Sequence, residues 1–128
     1  MQSIKHITGG DRQITIVPAH AAATATESYP VFSAPYACDI NAIKVNPITA
    51  VSGANTNTTH LNFDTASAEF ANLDLTSGND LTANIDNSVT ISTATSLTAG
   101  QNVEIEFEKV GTGLAVPAML VVIEYTSN

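Results

Sequence analysis

The chain has no tryptophan, one cysteine, and four lysines and arginines in total among its 128 residues. Aromatic side chains, and indoles above all, are the usual sugar platforms of β-sandwich proteins. Their scarcity therefore argues against a lectin or a glycosidase groove, even though twelve carboxylates would always supply some pair at a plausible separation. A net charge of −8 leaves little to neutralise a phosphate backbone, so nucleic acid is not an expected partner. A lone Cys38 makes no internal disulfide, and small secreted domains usually pair their cysteines, so synthesis in the cytoplasm is expected. No apolar run approaches the ~18 residues that span a bilayer, and no basic-then-apolar leader opens the chain, so a soluble protein without a membrane partner is expected.

Chemistry-bearing motifs are equally sparse. No G-x-S-x-G elbow, P-loop or H-E-x-x-H occurs. His6, His20 and His60 stand far apart with no second ligand at metal-like spacing, so no metal and no cofactor are expected. Cys38 lies beside Asp39, whose charge disfavours a thiolate, and reads as a core thiol. The chain is expected to have no catalytic site.

What is present is the composition of strands. Hydrophobic residues make up 44% and charged residues 12%, about half the globular norm of roughly a quarter, and Thr, Ser, Asn and Ala fill the gap. Threonine packs well on a pleated surface, and Asn and Ser favour turns. The clearest pattern lies in the last third. Val103, Ile105 and Phe107 alternate with Glu104, Glu106 and Glu108, the period of a strand with one wet face. A glycine turn over Val110–Pro117 follows, and then the apolar run Ala118–Thr126. Its consecutive Leu120, Val121, Val122 and Ile123 suggest a strand covered on both faces, the second by another subunit or by the N-terminal segment.

Further strands are expected at Arg12–Val17 with Ile14 and Ile16 on one face, at the small-residue stretch Ala19–Glu27, at Val31–Pro35, and at Cys38–Pro47. The shift from Ile40 to Ile43 in the last of these calls for a bulge. Thr59–Thr65 reads as a strand with Leu61 and Phe63 inward, and Ala68–Leu75 as a strand rather than a helix. Leu81–Ile85 and Val89–Thr93 read as a hairpin over Asp86-Asn87-Ser88. Eight or nine short strands with turn signals between them fit an all-β antiparallel sandwich or jelly roll. Residues 1–11, with Gly9-Gly10, are expected to form a flexible arm, and residues 12–128 a single β-sandwich domain. Lys5 and Arg12 against Asp11 leave the first twelve residues at +1 and the remainder at −9.

Glu104, Glu106 and Glu108 emerge ~6–7 Å apart along one strand, too far for one ladder to cage a calcium ion that needs oxygens at ~2.3–2.6 Å. Repulsion in water costs only about 0.6 kcal/mol per adjacent pair at that spacing, so a solvated acidic face is expected.

Three stretches resemble a family of small head proteins of tailed bacteriophages. They are Val51-Ser52-Gly53-Ala54-Asn55-Thr56-Asn57, Leu97-Thr98-Ala99-Gly100, and Val110-Gly111-Thr112-Gly113-Leu114-Ala115-Val116-Pro117 leading into Leu120-Val121-Val122. The last is the most distinctive, although Ala118 stands where similar sequences often carry glycine. The resemblance covers residues from about 38 onward and implies a jelly-roll capsid decoration or cement protein, a homotrimer on the outer capsid surface with the major capsid protein as partner. In that setting the slightly basic arm, with Lys5, His6 and Arg12, is the candidate capsid contact. Ala21, Ala23, Ala25, Leu120 and Val122 are the candidate subunit contacts. The alternative is a receptor- or glycan-binding sandwich displayed on the head or tail, with recognition in the loops Ser52–Thr58 and Lys109–Pro117.

Overall fold

Alternating apolar and polar residues produce nine strands in the computed structural model, which describes residues 10–66 and 68–128. They are β1 (Asp11–Val17), β2 (Glu27–Ser33), β3 (Cys38–Pro47), β4 (Thr58–Asp64), β5 (Glu69–Asp74), β6 (Asn87–Ile91), β7 (Ser96–Leu97), β8 (Asn102–Val110) and β9 (Met119–Ser127). Every pairing is antiparallel, and no helix occurs among the described residues. One sheet runs β1-β9-β3-β6 and the other β5-β4-β8-β2, with β7 pairing the start of β3. This interleaving of early and late strands is the order of a jelly roll.

The two sheets join through the short β5–β6 pairing of Ala71 with Ile91 and Asn72 with Thr90. At the opposite seam the edge strands β1 and β2 meet through side chains. Thr15 Oγ1 donates to Val31 O at 2.9 Å, Gln13 Nε2 donates to Ser33 O at 2.8 Å, and Ser33 N–H donates back to Gln13 Oε1 at 3.2 Å. The result is a nearly closed barrel whose edges are partly occupied from within, which suppresses edge-to-edge pairing.

The core lies between the sheets. Leu61 and Phe63 of β4, Val103, Ile105 and Phe107 of β8, and Val121 and Ile123 of β9 have no exposed surface. Each such side chain contributes roughly 1.5–3 kcal/mol of transfer free energy. Every buried side-chain nitrogen and oxygen among the described residues has a hydrogen-bond partner. The bulge expected in β3 is present, the register against β9 shifting between Ile40 and Ala42. Residues 69–74 form a strand, as expected over Ala68–Leu75.

Several expectations are corrected. Ala19–Glu27 is not a strand: residues 18–26 form a loop with one isolated bridge, His20 to Val116, and β2 begins only at Glu27. The backbone there is held by local side-chain bonds, Thr24 Oγ1 donating to Ala21 O at 2.7 Å. Strand β2 starts four residues before the expected Val31, and Pro30 sits within it because an edge strand tolerates a missing N–H. Leu81–Ile85 is not half of a hairpin. Leu81 bridges Val51 instead, and the following loop is tied by the Asn87 amide, which donates to Val45 O, Thr82 O and Ile85 O. Of the arm expected over residues 1–11, Asp11 lies in β1 and residues 1–9 lie outside the described residues.

Candidate interaction surfaces

The loops at one end of the barrel are fastened by a partly buried polar lock. Lys109, at the end of β8, turns its amine inward and donates to Ala21 O at 3.0 Å, Thr59 Oγ1 at 3.3 Å and Leu114 O at 3.4 Å. Thr59 Oγ1 also donates to Leu114 O at 2.8 Å and accepts from Leu114 N–H at 3.0 Å. His20 is buried, exchanges backbone hydrogen bonds with Val116, and stacks its ring on Phe107 at 4.9 Å. Burial, reinforced by the Lys109 charge, holds the His20 pKa below the usual value and outweighs the opposing pull of Glu27. The imidazole is therefore neutral at pH 7, and its 3.6 Å approach to Glu27 is not an ion pair. Burial likewise depresses the Lys109 pKa.

Two of the three stretches that carry the family resemblance meet beside this lock, and the third, Leu97-Thr98-Ala99-Gly100, lies at the opposite end of β8, where Gly100 N–H donates to Ala34 O. Thr112 N–H donates to Asn57 Oδ1 at 3.0 Å, which ties the loop Ser52–Thr58 to the turn Val110–Pro117. Gly113 has φ +78°, and a Cβ there would lie 2.5 Å from Ala22 O. At Gly111, φ +64°, it would lie 2.4 Å from Asn57 Oδ1. Both positions require glycine on conformation and on space. The turn expected from sequence is thus a close-packed crossing of three loops.

The outer face of the β5-β4-β8 sheet is acidic. His60 stands between Asp74 at 3.4 Å and Glu108 at 3.2 Å. Asn62 Nδ2 donates to both Glu106 and Glu108 at 3.1 Å. Asp64, opposite Glu104 and Glu69, has its pKa pushed up to about 6, first by burial and then by Glu106, Glu69, Glu104 and Glu108. These carboxylates spread along three strands, and no group of three His, Cys, Asp or Glu among the described residues is placed to hold a metal ion. What the arrangement can do is hold a proton near neutrality.

The outer face of the β1-β9-β3 sheet is different in kind. Ile14 lies opposite Val122, which lies opposite Lys44; Ile16 lies opposite Leu120, which lies opposite Asn46. The next row sets Arg12 beside Glu124. Lys44 Nζ donates to Glu124 Oε2 at 2.8 Å, and this bond, with the Glu124 charge, raises the Lys44 pKa. Ile16 is 77% exposed, Ile14 52% and Leu120 37%. Beyond the strand ends, Ile48 N–H donates to Ala118 O, and the loop carrying Ile85 is held to Pro47 by Asn84 N–H. Ile48 and Ile85 are 61% and 52% exposed.

The candidate subunit contacts therefore fall in two places. Ala21, Ala23 and Ala25 are exposed on the 18–26 loop, at the polar lock. Leu120 and Val122 are on the apolar face, where neighbouring side chains already cover Val122. Of the candidate capsid contacts, Arg12 is exposed on β1, whereas Lys5 and His6 lie outside the described residues. Sequence reasoning missed Lys109 and His20 as a structural pair, and the signal was faint: a lysine ending an acidic strand. It also missed that Ile14 and Ile16 face outward. The clue was the polarity of Gln13 and Thr15, the residues the seam with β2 needs. Compared with protein-family models, curated proteins and solved structures, the chain finds no match.

Proposed function

We propose that the chain is a non-enzymatic virion structural protein that decorates and stabilises the exterior of a tailed-phage capsid, binding the major capsid protein and its own copies as a homotrimer assembled in the host cytoplasm. The observation that carries this reading is the crossing of Ser52–Thr58 with Val110–Pro117. Asn57, Gly111 and Gly113, which belong to two of the three resembling stretches, are residues whose bonds and close contacts hold the crossing together. They sit in a jelly-roll barrel with a filled core and two large, chemically distinct outer faces. A shell decoration needs such a scaffold, a self-contact and a lattice contact, and no reaction centre.

The test is co-sedimentation of the purified protein with expanded, undecorated phage shells. Saturable binding at a fixed number of copies per capsomer is expected, and shells that pellet without the protein at saturating concentration would overturn the reading. The meeting of the two loops also favours the second reading, a glycan- or receptor-binding sandwich, because it forms one contiguous loop surface. A specific glycan-array signal without shell binding would select it.

A further inference from the structure

We infer that the outer face of the β1-β9-β3 sheet, centred on Ile14, Ile16 and Leu120, is covered in solution by another copy of this same chain. The inference rests on the self-contact in the proposed function and deepens it by naming the face that makes that contact.

Exposed apolar side chains scattered singly need no explanation, but these are not scattered. Ile14 and Ile16 project from one side of β1, Val122 and Leu120 stand beside them on β9, and Ile48 lies where β3 ends. A contiguous apolar patch bordered by charged residues marks an interaction site.

Charge identifies the occupant. The chain carries a net −8, so two copies repel wherever their surfaces are acidic. On the β5-β4-β8 face a second copy would meet Asp64, Glu69, Asp74, Glu104, Glu106 and Glu108 with the same six groups, like charge against like. The apolar face is balanced. Of the three described lysines and arginines, Arg12 and Lys44 are both there, with Glu124 and Asp86 as their counter-charges. Lys44 bonds Glu124, and Asn46 Nδ2 donates to Asp86 Oδ1 at 3.1 Å. A face of isoleucines with equal numbers of both signs at its margin is complementary to itself. A basic partner would instead be drawn to the other sheet.

The experiment is light scattering coupled to size exclusion over a wide dilution series, on wild type, Ile16→Glu, Leu120→Glu and Val110→Glu. Val110 is also exposed, but it lies at the loop end of β8, away from the patch. The expected result is a wild-type mass of two or more chains. Ile16→Glu and Leu120→Glu should raise the dissociation constant by about a hundredfold or more, with Val110→Glu unchanged. Circular dichroism and melting temperature of each variant separate lost association from lost folding, because these side chains are outside the core. A wild-type monomer at every concentration overturns the inference. So does an assembly that both glutamates leave intact, and that second outcome would leave shell decoration standing through a different self-contact.

Discussion

Asp64 is the residue at which this fold works against itself. Its carboxyl lies half-buried among four other carboxylates and is pushed up to about 6 from an ordinary value of 3.8. A carboxyl with a folded-state pKa above its unfolded one stabilises the fold at low pH and loses that contribution as pH rises from about 4 through 6. At pH 7.5 the group is ionised in both states and the full cost is present, about 2 kcal/mol after allowance for solvent screening. Asp64→Asn should therefore raise the melting temperature by several degrees at pH 7.5 and hardly at all near pH 4. His20 titrates with the opposite sense, since its lowered pKa makes protonation below about 6.5 unfavourable to the fold. The wild-type pH curve alone would mix the two, and the difference between wild type and variant across pH isolates Asp64. An unchanged difference from pH 4 to 7.5 would show that Asp64 is not a strained proton site.

Among the elements, the turn between β8 and β9 is tightly constrained, with two positive-φ glycines whose Cβ positions are occupied by neighbouring atoms. Gly113 and Gly78 both have positive φ, but a Cβ at Gly113 would press against Ala22 O and the Lys109 stem, whereas at Gly78 it meets nothing. Gly78→Ala should cost about 1 kcal/mol, the backbone penalty alone. Gly113→Ala should cost about 3 kcal/mol or more, because the loop carrying Ala22 must also move. Urea titration of the two variants reads the difference directly, and equal losses would mean that the loop crossing yields freely. The contrast also marks how far the sequence could be read. The alternation in β8 was legible because one strand carries both its wet and its dry face, and the bulge in β3 because a shift of parity has one simple cause. Ala19–Glu27 was not legible. Its alternation of Ala and Thr suits a strand, but Lys109 and Thr24 both donate to the carbonyl of Ala21 and hold the segment as a loop. The orientation of β1 was hidden for a related reason. Period two names two faces, and only the seam with β2, which needs Gln13 and Thr15, says which one turns in.

For the molecule as a whole, the proposed shell decoration needs a self-contact and a lattice contact, and under that proposal the apolar face is the candidate for the first and the N-terminal residues, with Lys5 and His6, are the candidate for the second. If copies associate through the apolar face, each assembly contains several N-terminal segments, each with a Lys5 and a His6. After one segment docks, the others face an effective concentration near millimolar, so individually weak contacts sum to stable attachment. Removing residues 2–9 leaves β1 and its seven pairings with β9 in place. The truncated protein should therefore keep the wild-type melting temperature and the wild-type mass in light scattering, and lose shell binding by a factor of about a hundred or more. A single-copy variant made with Ile16→Glu should show an intermediate loss, since it retains one segment but no multivalent gain. The order of the three affinities, wild type above Ile16→Glu above the deletion, distinguishes attachment through the segment from attachment through the acidic sheet. In the second case the deletion would bind as wild type does, and neutralising Glu104, Glu106 and Glu108 would abolish binding instead.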